Sequence, residues 1–236
     1  MRIEPETSIS HDHTSTKGGV QPRRKRIKNR GGLVVNLFAA VVFLILLAGY
    51  LAGWLGEYPA RNAQLITGRI AFLFLLASLS ITPLRTLTGN IHIGPLRQAF
   101  GLNAFYFAMV HVLILIFLNY RMDFYALVKG FSNHPYFWPG AVAFLILSVL
   151  AVTSLNKMKR ALRGSWKKIH TMVYPAGVLV LVHYSWIANG KFIPAAEVKT
   201  LPLLTAAYLA ALFTLRLRPV KKAVLRWRKK AKPRTG

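Results

Sequence analysis

The residues of this chain best suited to chemistry are its histidines. There are seven of them, no cysteine, and all six acidic residues lie outside the long apolar runs. His111 and His183 sit inside such runs, FYFAMVHVLILIF and GVLVLVHYSWI, and His170 opens the stretch that leads to His183. An imidazole in an apolar run is costly unless it has a partner, which makes each of the three a functional candidate. The competing reading is a helix-packing hydrogen bond to a neighbouring Ser, Thr or carbonyl. His11 and His13 fall in a polar N-terminal stretch and read as solvated tail, while His92 and His134 read as loop residues.

Their relative depth favours chemistry. His111 lies 12 residues beyond Ala99 and His183 lies 14 beyond Ile169. On two helices running the same way at ~1.5 Å per residue, the two imidazoles differ in height by only ~3 Å. Two imidazoles at one height can clasp a low-spin b-type heme between them. His170 is 13 residues before His183, or ~20 Å deeper, a separation that suits a second heme in the other half of the membrane. Thirteen steps of 100° leave His170 about 140° around an ideal helix from His183, with Pro175 between them as a source of rotation. No histidine opposes His170 on the segment that carries His111. Arg97, 14 residues before His111 on nearly the same face, stands there with Gln98 beside it. A guanidinium is a counter-charge for a heme propionate, a flavin or a quinone rather than an iron ligand.

Other chemistries are disfavoured. A zinc or non-heme iron site calls for carboxylates or closely spaced histidines on the helices, and a proton relay calls for buried acids. There is no nucleophilic triad, glycine-rich phosphate loop or dinucleotide-binding domain, so a nicotinamide donor has to act through another protein or carrier. The absence of cysteine excludes disulfides, thiolate-held iron–sulfur clusters and covalently attached heme.

The elements that position these residues are membrane spans. Of 236 residues, 54% are hydrophobic, and they form six apolar segments at roughly 33–55, 65–84, 99–119, 137–155, 169–188 and 200–217, each near the ~20 residues that cross a bilayer. The predicted fold is an all-α integral membrane protein of six transmembrane helices with both termini cytoplasmic. Residues 1–32 are expected to be a disordered basic tail, 33–218 the transmembrane domain, and 219–236 a second basic cytoplasmic tail. The first span reads as an anchor rather than a cleaved signal, and Arg69 as a snorkelling residue near a span end. The 32 Lys and Arg divide 26 to 6 between alternate sides, so the basic side faces the cytoplasm. Trp54, Tyr58, Tyr136, Trp138, Tyr184 and Trp186 ring the outer ends. The net charge of +26 is thereby explained by topology and anionic inner-leaflet lipid. Nucleic acid is not an expected partner, because no aromatic–basic platform accompanies the charge.

Several motifs occur in order: TGRIAFLFLLASLSITPLRTLTG (67–89), FGLNAFYFAMVHVLI (100–114), and VLAVTSLNKMKRALRGSWKKIHTMVYPAGVLVLVHYSW (149–186). As a set they resemble the ferric reductase-like transmembrane domain family, nearest to its heme-binding membrane subunits of periplasmic methionine sulfoxide reductase systems. The resemblance covers roughly residues 64–187. It implies heme b ligation, one or two hemes, by His111, His170 and His183, and it places Arg97 where related reductases carry a fourth histidine. It further implies electrons arriving from a cytoplasmic flavin reductase or quinol and leaving to a periplasmic molybdopterin enzyme that reduces oxidised methionine, with the subunit in the bacterial inner membrane. FMN is associated with such subunits, without a residue assignable here. The outer loop FSNHPYFWPG lacks the basic residue expected before its proline.

The reading is therefore an oxidoreductase electron-transfer subunit rather than a complete catalyst; Trp166 and the basic loop 157–168 read first as a membrane-surface anchor and second as a candidate electron-entry face. A stand-alone ferric or cupric reductase, and a heme-free assembly subunit or transporter, are the alternatives.

Overall fold

The computed structural model describes residues 30–189 and 200–231, and all regular structure among them is helical. Ten helices follow in order: α1 (Arg30–Leu51), α2 (Pro59–Thr88), α3 (Leu96–Leu113), α4 (Phe124–Asn133), α5 (Phe137–Thr153), α6 (Asn156–Leu162), α7 (Ser165–Ile169), α8 (Val173–Asn189), α9 (Thr200–Thr214) and α10 (Arg218–Ala231). A 3₁₀ turn at Ile91–Ile93 precedes α3, a π-helical stretch at Ile114–Asn119 continues it, and a second 3₁₀ turn at His170–Met172 leads into α8.

Four helical stretches are long and apolar enough to cross a bilayer unaided: Arg30–Leu51, Pro59–Thr88, Ile91–Asn119 and Ser165–Ala188. Two more qualify as bent pairs, α4 with α5 at 113° and α9 with α10 at 75°. The reason is length. The 17 residues of α5 and the 15 of α9 fall short of the ~20 that span a ~30 Å hydrocarbon core. The chain is thus an all-α, multi-pass membrane protein, and each of the six apolar segments read from the sequence maps onto a helix. The bend between α4 and α5 falls at Pro135, where the preceding His134 takes the extended backbone (φ −125°, ψ 90°) that a following proline favours.

Two boundaries differ from expectation. The N-terminal stretch read as tail is helical from Arg30, because α1 begins against α3: a Cβ on Gly31 would lie 2.7 Å from the Leu96 side chain, so glycine permits that close approach. The basic stretch after 218 is also helical, and α10 packs on α2. His11 and His13 lie outside the described residues.

The core is centred on α2, which packs most extensively on α3. Leu75 and Leu79 are fully enclosed, and the Phe74 ring stacks on Phe107 of α3 at 5.5 Å. Proline at the first position starts α2, and Gly89 in the left-handed conformation (φ 73°) ends it, its N–H donating to Arg85 O. Pro83 stands inside α2 and cannot donate to the carbonyl of Leu79 one turn back, which in an apolar setting must find another donor. Arg216, between α9 and α10, supplies it: its Nη2 donates to Leu79 O, and its guanidinium lies 4.8 Å from the Tyr174 ring centroid. Polar pairs tie neighbouring helices, Asn103 Nδ2 donating to Asn36 Oδ1 (2.8 Å) between α3 and α1 and Ser80 meeting Tyr208 (2.7 Å) between α2 and α9.

The basic segments gather at one end of the bundle. Arg228 of α10 donates to Thr86 O at the end of α2 (3.1 Å), and Lys159 of α6 donates to Gln98 Oε1 at the start of α3 (2.7 Å).

Candidate functional site

His111 on α3 and His183 on α8 meet inside the bundle, with ring centroids 6.4 Å apart and planes at 89°. Each ring is held the same way. His111 Nδ1 bonds Gln64 O of α2 at 2.8 Å, and His183 Nδ1 bonds Tyr136 O at the start of α5 at 2.7 Å. Because a carbonyl only accepts, both Nδ1 atoms carry the proton, which leaves the lone pair of each neutral ring on Nε2. A backbone carbonyl on the far nitrogen is the common way a protein fixes a metal-binding imidazole.

Each ring also rests on a glycine one turn after its carbonyl partner. A Cβ on Gly68 would stand 2.8 Å from His111 Nδ1, and one on Gly140 would stand 2.7 Å from His183 Nδ1. Gln64–Gly68 and Tyr136–Gly140 are thus two copies of one device, a carbonyl at i with a notch at i+4, because positions four apart share a helix face. Gln64 is held in turn by Asn119, whose Nδ2 donates to Gln64 Oε1. Asn119 closes the π-helical stretch that begins three residues after His111.

The geometry suits one metal centre. Two imidazole nitrogens each roughly 2 Å from one metal ion would leave their ring centroids about 6–6.5 Å apart. Among the described residues no group of three or more His, Cys, Asp or Glu could hold a bare metal ion.

His170 is placed differently. It lies in the 3₁₀ turn before α8, with Nε2 3.2 Å from Thr153 Oγ1 and its ring 4.2 Å from that of Trp166. The tighter 3₁₀ turn adds about 20° per residue over α-helix, which shrinks the expected 140° offset from His183 to roughly 80°. Pro175 falls in the first turn of α8.

His170, Arg97, Gln98 and Trp166 line one cavity of about 410 Å³, together with Ser78, Arg85 and Ser154. The structure therefore brings Arg97 and His170 to a shared space, and among the described residues no second imidazole lines it. Trp166 Nε1 donates to Thr153 O (3.0 Å), and Lys159 lies 5.6 Å from the Trp166 ring centroid. Burial pushes the Lys159 ammonium below the ordinary lysine value. His92 is an exposed residue of the Ile91–Ile93 turn, and His134 is exposed with its ring stacked on Tyr136 at 5.4 Å.

Sequence reasoning singled out the histidines but missed Gln64, Gly68, Tyr136, Gly140 and Thr153. The available signal was a glycine within each apolar run, at 68 and 140, where helix propensity alone would favour another residue.

The structure is a membrane bundle that brings two half-buried imidazoles together, and the comparisons give it a family: the chain belongs to the ferric reductase like transmembrane component family, whose profile matches residues 38–181. Its relatives narrow the class. Three of them carry the name protein-methionine-sulfoxide reductase heme-binding subunit MsrQ. The one from Pectobacterium atrosepticum is 36% identical over 194 residues, covering 80% of this chain and 92% of the relative. The one from Ralstonia nicotianae is 34% identical over 186 residues, 78% and 83% of the two chains. For Xanthomonas euvesicatoria the match is 36% over 135 residues, 57% of this chain and 62% of that protein's length. The family resemblance read from the ordered motifs is borne out.

Proposed function

We propose that this chain is the heme b-binding, electron-transferring membrane subunit of a methionine sulfoxide reductase system. One observation carries the reading: His111 and His183 stand 6.4 Å apart with both Nδ1 atoms bound to backbone carbonyls. In this reading the Nε2 atoms of His111 and His183 would hold the heme iron. Heme bound between them would supply reversible one-electron exchange at iron. The protein's part is to fix and exclude. Gln64 and Tyr136 hold the tautomer, Gly68 and Gly140 let the rings seat, and the apolar helix faces keep water away. Two imidazoles locked in place change little between oxidation states, which keeps reorganisation small.

The second redox group belongs in the cavity that His170 and Arg97 share. His170 is its ligand or hydrogen-bond donor. Arg97 and Arg85 are the cations for a propionate, a flavin phosphate or a quinone oxygen. A second heme, FMN and a quinone all meet those requirements, and heme counted per chain separates them. Trp166 and the basic segment 157–168 form the entry face for electrons from a cytoplasmic flavin reductase or quinol. The acceptor is a periplasmic molybdopterin-type methionine sulfoxide reductase. In this reading the chain crosses the inner membrane six times with both termini cytoplasmic, an arrangement that puts 26 of the 32 basic residues on the cytoplasmic side.

The test is an absorption spectrum of detergent-purified protein made with ample heme supply, together with heme quantified per chain. A low-spin b-type spectrum is expected, lost in both His111→Ala and His183→Ala. A colourless wild type sinks the redox reading, and full heme content in either variant sinks the ligand assignment. His170→Ala is expected to remove a second heme, if the chain carries two, while leaving the first.

A further inference from the structure

The C-terminal helix α10 has four ridges, each built from positions four apart, and the one through Lys221 and Leu225 is partly covered. Val220, Val224 and Arg228 are half-buried, and α10 packs on α2. Arg228 donates to Thr86 O, and its guanidinium lies so close to Gly89 that a Cβ there would meet it at 2.7 Å. This ridge faces the protein. Two of the others are exposed throughout: Pro219, Ala223 and Trp227 form an apolar one, and Arg218, Lys222 and Arg226 a basic one. Trp227 leaves 65% of its surface uncovered. Neighbouring ridges lie about 100° apart around the helix. The helix contains no acidic residue, and it turns 75° away from α9.

A helix that continued along α9 would carry this charge into the bilayer or straight out into water. With α9 crossing the bilayer, a bend of that size would turn α10 toward the plane of the membrane surface. An amphipathic helix there, with Trp on one side and Lys or Arg on the next, has the composition of an interfacial helix. Its basic ridge stands at the height of lipid phosphates, and its apolar ridge reaches the acyl boundary.

We propose that α10 is a binding site for anionic phospholipid. Arg218, Lys222 and Arg226 engage headgroup phosphates, Trp227 and Ala223 insert at the interface, and Arg228 ties the lipid-seated helix to the end of α2. Charge complementarity selects the occupant: a zwitterionic surface offers the basic ridge no net attraction, whereas an anionic leaflet concentrates around each cation within a Debye length. The inference needs only that α9 is embedded, and its failure leaves the redox reading untouched.

The experiment uses the full chain in nanodiscs of phosphatidylcholine alone or with phosphatidylglycerol, with the heme absorbance of each sample recorded as a check on folding. Two readouts apply: amide hydrogen exchange over residues 218–228, and the quenching by interface-brominated lipid that is lost in Trp227→Phe. Phosphatidylglycerol is expected to slow exchange about tenfold or more and to increase that quenching. Both effects should disappear in 1 M salt and in the triple variant Arg218→Gln, Lys222→Gln, Arg226→Gln, in which glutamine keeps the helix propensity. Exchange that ignores lipid charge overturns the proposal. So does a dependence on phosphatidylglycerol that survives in the triple variant.

Discussion

At the scale of single residues, two glycines decide whether two histidines can meet. Alanine favours a helix over glycine by about 1 kcal/mol, so Gly68→Ala and Gly140→Ala should stiffen α2 and α5. At these positions, however, the added Cβ would stand 2.8 Å and 2.7 Å from imidazole atoms. The ring must move or its carbonyl bond must break. Each variant is expected to keep or raise its helix content by circular dichroism while losing heme several-fold. Gly49→Ala is the control, since its Cβ would meet only the Trp54 ring at 3.7 Å, and its heme content should stay at the wild-type level. Unchanged heme in both notch variants would mean that the rings are not seated as drawn. The histidines themselves were legible in the sequence, because an imidazole in an apolar run stands out. The notches were not: a glycine in a membrane helix has several uses, and only the partner helix shows which one applies.

The elements show the same division between what one segment announces and what only packing reveals. All six apolar segments were readable, since ~20 uncharged apolar residues have few other fates. The 3₁₀ entry to α8 and the π-helical end of α3 were not readable, because hydrogen bonds to neighbouring helices set them rather than any periodicity. Arg216 belongs here too. The sequence alone counts it among the 26 basic residues of one side, yet in the fold it donates to the Leu79 carbonyl that Pro83 leaves without a partner. A coupling between the two follows. Arg216→Met should destabilise the protein by about 1–3 kcal/mol, the usual cost of an unmet buried acceptor. In a Pro83→Ala background, where the helix supplies its own N–H, the same change should cost about 1 kcal/mol less. Thermal unfolding of the four proteins in one detergent measures the cycle, and equal costs in both backgrounds would break the link. The Asn36–Asn103 pair predicts a smaller effect. Asn103→Leu should weaken the docking of α1 by roughly 0.5–2 kcal/mol without altering heme content, because α1 supplies no ligand.

For the molecule as a whole, charge and architecture point to the same orientation. The basic residues divide 26 to 6 between alternate connections. Contacts gather segments from the richer side at one end, Arg228 against Thr86 and Lys159 against Gln98. Positively charged connections resist translocation, so that end should stay in the cytoplasm, with the His170 cavity near it and the His111–His183 pair toward the opposite face. Alkaline phosphatase works only after export and green fluorescent protein fluoresces only when it folds inside, so fusions report the side directly. Phosphatase inserted after Asn133 should be active, and phosphatase fused after Leu155 should be inactive. Green fluorescent protein joined after Gly236 should fluoresce. An inactive fusion at 133 combined with an active one at 155 would invert the bundle. The outer pair would then sit on the donor side, and electron flow toward a periplasmic acceptor would have to be argued afresh from the other end.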